Sequence, residues 1–319
     1  MINDTVLIIG ANGQLGSVLS EELQKIHGKD NVIASDVYLN STFDGVFEII
    51  DATDIKAIEN IVNKYAVNQI YHLAAILSAK GEKNPLRTWD LNISMMLNVF
   101  EVSRTNNVKK VFFPSSIAVF GDKAPLENTT QSTFLNPATV YGMSKAAGEN
   151  WAQYYFNKYG LDVRSIRYPG IIGYQSMPGG GTTDYAVDIY HSAVKQEKYS
   201  CFLNPETKLP MIFMDDAIRS TIELMQAPKE SIKTRTSYNL GSMSFSPNEI
   251  TEEIQKLYPN FKVEYNADFR QEIADKWPKS INDDEARKDW NWKPKYDLKL
   301  MTLVMLEKLE KKYNTTTLK

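Results

Sequence analysis

The chain has 319 residues, enough for one large domain or two smaller ones with a substantial core. Hydrophobic residues make up 43%, charged residues 24%, and the formal net charge is −3, which lacks the basic excess of a nucleic-acid binder. A single cysteine, Cys201, excludes an intrachain disulfide and favours a cytoplasmic chain, and His27, His72 and His191 are scattered without a cysteine cluster, so no metal is expected.

Residues 5–9 form a short β-branched apolar run, too short to span a membrane and without a preceding basic region, so they read as a strand and no membrane partner is expected. The run ends in Gly10-Ala11-Asn12-Gly13-Gln14-Leu15-Gly16. The strand–turn–helix context predicts a tight turn at Gly10, approach of backbone N–H groups to a pyrophosphate at Gly13, and packing of a helix over about residues 15–26 at Gly16. The spacing is G-x-x-G-x-x-G rather than G-x-G-x-x-G, and glycines alone mark ordinary turns, so the flanking elements carry the reading. A second strand over 31–35 ends in Asp36, about 20 residues on, where an acid can accept from adenosine ribose hydroxyls. No arginine follows in Asp36-Val37-Tyr38, and the carboxylate would repel a 2′-phosphate, which favours NAD over NADP.

A third strand over 46–50 leads into Asp51-Ala52-Thr53, and a helix to about residue 65 precedes the run 69–75. The small residues Ala74 and Ala75 at its end let a ligand come close, so this is a cofactor-side loop. After a helix carrying Asn92, the strand 110–113 ends in Pro114-Ser115-Ser116, whose hydroxyls serve either chemistry or a turn or cap. This alternation of strands and helices predicts a parallel sheet covered on both faces. Tyr141 and Lys145 then lie four positions apart, on one face of a helix. An ammonium beside a phenol favours the phenolate and so can make a base, although an isolated Y-x-x-x-K is more often a solvated helix face.

Taken in order, the glycine loop, Asp36, the run 72–75, Ser115-Ser116 with 117–121, Tyr141 with Lys145, and Arg167-Tyr168-Pro169-Gly170 resemble the extended short-chain dehydrogenase/reductase superfamily, which contains nucleotide-sugar epimerases and dehydratases. That resemblance implies an α/β, Rossmann-type doubly wound parallel sheet, with a dinucleotide domain over residues 1–170. Residues 171–319 would be mainly a smaller substrate-binding region, with some segments returning to the sheet. It implies NAD held by Gly10, Asn12, Gly13, Gln14, Leu15, Gly16, Asp36, Asp51, Ala52, Leu73, Ala74, Ala75, Asn92, Tyr141, Lys145 and Tyr168. Ser116 would hold the reacting oxygen, Tyr141 would transfer its proton, and Lys145 would lower the tyrosine pKa while binding the nicotinamide ribose.

The stretches 178–186, 209–217 and 273–278, with 72–79, are similar to the L-threonine 3-dehydrogenases of this superfamily. The similarity implies oxidation of L-threonine at C3 to 2-amino-3-ketobutyrate, with Ser78, Ser116, Tyr141, Thr182, Thr183 and Trp277 around the substrate and the glycine run 179–181 closing over it. Read without it, the Gly-Gly-Gly-Thr-Thr stretch is a flexible loop with a helix cap and Trp277 is core packing. A nucleotide-sugar epimerase or dehydratase would use the same serine, tyrosine and lysine in a larger cleft. A non-catalytic NAD sensor would need the glycines and Asp36 but not that trio. The aromatic stretch 151–156 supports either a homodimer interface or core packing. The tail 314–319 is expected to fray.

Overall fold

The computed structural model describes residues 4–177, 179 and 181–317. Its first part alternates regularly: β1 (Val6–Ile9), α1 (Gln14–His27), β2 (Val32–Asp36), β3 (Val46–Ile49), α2 (Ile55–Lys64), β4 (Gln69–His72), α3 (Ser78–Gly81), α4 (Pro85–Thr105), β5 (Lys110–Ser116), α5 (Val140–Tyr159) and β6 (Asp162–Tyr168). The remainder is mixed: β7 (Gly170–Ile172), α6 (Tyr185–Val194), β8 (Tyr199–Cys201), β9 (Leu209–Phe213), α7 (Met214–Gln226), β10 (Tyr238–Asn239), β11 (Met243–Phe245), α8 (Pro247–Gln255), β12 (Val263–Tyr265), α9 (Arg270–Ala274), α10 (Asp284–Trp290) and α11 (Leu298–Thr317).

Seven strands form one parallel sheet in the order β10-β6-β5-β4-β1-β2-β3. β1 lies inside it and is buried along its whole length, as an apolar strand covered on both faces must be. One face packs against α2, α4 and α5 through Leu7, Val99, Phe100, Val111 and Phe113. The other packs against α1 and α7 through Ile8, Leu19, Phe112 and Ile218. β10 joins the edge beside β6, so the sheet takes a strand from beyond residue 170. The other late strands form a three-stranded sheet, β11-β9-β7, and the pair β12-β8, over a separate core that includes Tyr185, Tyr190, Phe202, Phe213 and Phe245.

Local chemistry sets the ends of the helices that matter for the site. Thr139 caps α5 by accepting from the Gly142 amide at 3.1 Å, and Gly160 ends the helix at φ 72°, a left-handed conformation that favours glycine. β4 stops at His72 because the next two amides, of Leu73 and Ala74, both donate to the Ile9 carbonyl at 2.8 and 3.0 Å, which bends the chain across the end of β1. β5 runs through to Ser116, three residues further than the apolar run 110–113 predicts, since ladder pairing with β6 continues to Ser116 and Tyr168. The last helix enters the stretch 314–319 expected to fray. α11 continues to Thr317, pinned where Tyr313 meets His191 Nδ1 at 2.8 Å and Lys312 reaches the Tyr174 and Gln175 carbonyls at 3.4 Å. Leu318 and Lys319 lie outside the described residues.

Candidate active site

The glycine loop is built by close backbone approach. Gly10 has φ 92°, and a Cβ there would sit 2.7 Å from the Ala74 nitrogen; a Cβ on Gly16 would sit 2.2 Å from the Gly10 carbonyl oxygen. Neither obstacle is a flexible side chain, so both positions require glycine. Gly13 stands at the N-cap of α1 and offers no side-chain cap, and Gly13, Gln14, Leu15 and Gly16 line an open cleft. Uncapped first-turn N–H groups at the positive end of a 14-residue helix fit the pyrophosphate of a dinucleotide.

At the end of β2, Asp36 accepts from the Asn12 amide at 3.0 Å and the Val37 amide at 2.8 Å, while the Asn12 side chain donates to the Tyr38 carbonyl at 2.8 Å. A carboxylate has about four acceptor sites, so capacity for ribose hydroxyls remains. Asp51, beyond β3, accepts from the Thr53 amide and hydroxyl at 2.9 and 2.7 Å, and these bonds hold its carboxyl below the usual range. Ala52 is buried, its carbonyl accepting from Asn98 at 3.1 Å.

The cleft has an open volume of about 280 Å³. Besides the glycine loop, it brings together Leu73 and Ala75 after β4, Ser115 and Ser116 at the end of β5, Tyr141 and Lys145 of α5, Tyr168 of β6, and Ser78, Thr182, Thr183 and Trp277. Asn12, Asp36, Asp51, Ala52, Ala74 and Asn92 are not on its wall. Ala74 backs Gly10. Asn92 is buried with its amide engaged, accepting from the Ile76 amide at 2.8 Å and donating to the Ile76 carbonyl at 3.1 Å and the Ser144 hydroxyl at 3.3 Å. It therefore ties the segment after β4 to α5 instead of facing the cleft. Leu77, Ile117 and Ile171 also line the cleft, and the sequence offers no signal for them because apolar walls are set by which loops meet. Pro178 and Gly180, in the run expected to close over a substrate, lie outside the described residues.

The electrostatics correct one expectation. Lys145 Nζ lies 5.5 Å from the centre of the Tyr141 ring and 4.6 Å from that of Phe113. Burial nevertheless pushes the Tyr141 phenol up to about 12, against the opposing pull of a hydrogen bond with Ser116, and pushes the Lys145 ammonium down to about 7. The nearness of the lysine therefore does not by itself lower the phenol, because burial is the larger effect on each group.

On the substrate side, Ser78 is buried at the start of α3. Thr182 is 1% exposed, and among the described residues its hydroxyl has no protein partner. A buried hydroxyl without a partner is costly unless something else supplies one. Tyr168 lines the cleft, while its ring packs against Phe112 and its hydroxyl pairs with Thr221. Trp277 is 6% exposed and belongs both to the second core and to the cleft wall, so packing and lining are not exclusive.

A doubly wound parallel sheet, with a glycine loop at the end of its first strand and a serine, tyrosine and lysine meeting at the ends of β5 and α5, defines a dinucleotide-dependent oxidoreductase of the Rossmann type. The chain belongs to the NAD dependent epimerase/dehydratase family, whose model matches residues 6–241, and its cofactor is NAD. It is 45% identical to an uncharacterized epimerase/dehydratase of Staphylococcus haemolyticus, over 97% of this chain and 98% of that one. Among solved structures it is similar to a GalE-like L-threonine dehydrogenase from Cupriavidus necator in its holo form, at 49% identity and TM-score 0.95, covering 96% of this chain and 99% of the other. It is equally similar to a monomeric L-threonine 3-dehydrogenase from a metagenome, at 50% identity and TM-score 0.93 with the same coverage.

Proposed function

We propose that the protein oxidises L-threonine at C3 to 2-amino-3-ketobutyrate. The observation that carries this reading is the buried Thr182 hydroxyl, which has no protein partner among the described residues and shares the cleft wall with Ser78 and Ser116. The likeness to L-threonine dehydrogenases at 49–50% identity supports it. A nucleotide-sugar epimerase or dehydratase would need further room for a nucleoside diphosphate, and its product would form without net NADH.

Bound NAD would supply the hydride acceptor. Gly10, Gly13 and the start of α1 would hold its pyrophosphate, and Asp36 its adenosine ribose, with Asp51 and Ala52 beyond them. Ser116 orients the substrate hydroxyl, Tyr141 removes its proton, and Lys145 stabilises the negative charge that develops on the phenol oxygen. Thr183 and Trp277 complete the wall that excludes water. The test is NADH formation with L-threonine, L-serine, L-allo-threonine and a UDP-sugar, of which L-threonine should be oxidised most efficiently.

Ser78→Ala and Thr182→Ala should each raise KM for L-threonine with little change in NAD affinity. A hydrogen bond worth about 0.5–1.5 kcal/mol corresponds to roughly 2- to 13-fold, and more if the partner is the substrate carboxylate. Steady-state kinetics beside NAD titration separates the two effects, and equal losses in both would reject these hydroxyls as substrate contacts. Asp36→Ser should narrow the preference for NAD over NADP by removing repulsion of a 2′-phosphate. An unchanged ratio of kcat/KM for the two cofactors would reject Asp36 as the discriminator.

The exposed Trp151, Tyr154 and Tyr159 on α5, with Leu86 and Trp89 on α4, support a homodimer formed through these helices. Sedimentation of the intact chain at a single mass of 36.3 kDa would exclude it.

A further inference from the structure

Tyr141, Lys145 and Glu149 occupy one stripe of α5, each four residues from the next. Glu149 is 1% exposed and does not reach the cleft wall. Its Oε1 accepts from the Ser115 hydroxyl at 2.6 Å and from Arg167 Nε at 2.9 Å, and its Oε2 accepts from Arg167 Nη2 at 2.7 Å. Arg167 also donates to the Gln131 carbonyl at 3.1 Å and to Asn239 Oδ1 at 3.0 Å. Ser115 and Arg167 are partners in the β5–β6 ladder, and the next pair in register is Ser116 with Tyr168, both on the cleft. One carboxylate thus fastens the helix stripe bearing Tyr141 and Lys145 to the strand row immediately before Ser116.

A buried ion pair is weak evidence for stability, since well-packed apolar side chains of similar volume often serve as well. What such a pair supplies is fixed geometry, because its bonds are short, directional and bidentate. The geometry at stake is the hydrogen bond between Ser116 and Tyr141, which favours the phenolate in a site where burial opposes it. We propose that Ser115, Glu149 and Arg167 form a positioning unit that sets Ser116 against Tyr141 without taking part in proton transfer. The proposal rests on Ser116 and Tyr141 acting together in the reading above, but not on L-threonine being the substrate.

The test uses NAD-bound full-length protein carrying isotope-labelled tyrosine, with the Tyr141 Cζ resonance assigned by its loss in Tyr141→Phe. Ser115→Ala removes one bond of the unit and leaves the Glu149–Arg167 pair in place. Its Tyr141 Cζ resonance, recorded at neutral pH where fold and cofactor are intact, should move from the wild-type position as the Ser116 hydrogen bond is lost, with Tm and NAD affinity unchanged. Turnover of L-threonine should fall about tenfold with KM within about twofold, as expected when only transition-state geometry is lost. Ser115→Thr, which restores the hydroxyl, should recover both. A Tyr141 Cζ resonance and kcat equal to wild type in Ser115→Ala and in the apolar replacement Glu149→Leu with Arg167→Met would overturn the proposal. So would a fall in kcat tracked by parallel losses of Tm and NAD affinity, the mark of a merely structural role. If the wild type does not oxidise L-threonine, the substrate reading fails, while the Tyr141 resonance, which needs no substrate, still decides this one.

Discussion

Tyr141→Phe should reduce turnover of L-threonine by ~100- to 10,000-fold, the range a general acid or base contributes. The substitution deletes one hydroxyl and keeps the aromatic ring that packs against the second core. NAD binding should therefore persist, and the loss should appear in kcat and kcat/KM together. The structure also gives the sign of the pH effect. Burial holds the Tyr141 phenol at about 12 and the Lys145 ammonium at about 7, so rising pH enlarges the ionised fraction of the tyrosine but removes the lysine charge above about 7. The wild-type rate should therefore rise with pH up to that point and level off beyond it. Near-normal turnover by folded Tyr141→Phe protein, measured beside a retained NAD Kd, would remove Tyr141 from proton transfer.

Asp162→Ala should destabilise the fold by about 3–5 kcal/mol, the usual result of stripping the partner from a buried ion pair. Asp162 is 3% exposed at the start of β6, where it accepts from Arg164 Nη2 and Arg235 Nη1, each at 2.7 Å. Arg164 in turn donates to the Leu224, Met225 and Ala227 carbonyls at the end of α7, at 2.6, 3.2 and 2.7 Å. Removing the carboxylate leaves two guanidiniums buried beside each other without their anion. Burial works against the Asp162 charge, but the arginines hold its carboxyl below the usual range. A depressed folded-state pKa contributes stability that is present above the unfolded value of about 3.9 and is lost as pH falls through the folded value. Wild type should therefore lose this contribution only in strong acid, whereas Asp162→Ala lacks it at every pH. Denaturant midpoints at neutral and acid pH check both statements, and a loss under about 1 kcal/mol at neutral pH would contradict them.

The main sheet was legible because its cues are local. Unbroken apolar runs such as residues 6–9 announce strands buried on both faces, and the stretch from Gly10 to Gly16 carries its reason in backbone space that no Cβ can occupy. Tyr141 and Lys145 on one helix face were legible from their spacing, whereas the place of Ser116 beside them came from the resemblance of the ordered motifs, and the cleft brings the three together. Three things were not legible. The balance of burial against attraction at Tyr141 depends on how much water the surrounding chain removes, which no spacing reveals. The engagement of Asn92 with Ile76 and Ser144 required knowing that three distant segments meet. The Ser115–Glu149–Arg167 cluster joins residues up to 52 positions apart, and nothing about any one of them marks it as buried.

The most direct measurement is the initial rate of NADH formation by the full-length protein with NAD and L-threonine, with a UDP-sugar and L-serine in parallel. L-Threonine should give NADH and 2-amino-3-ketobutyrate at a kcat/KM well above that for L-serine, and the UDP-sugar should be returned unchanged. Epimerisation or dehydration of the UDP-sugar, with no threonine-dependent NADH, would contradict the account.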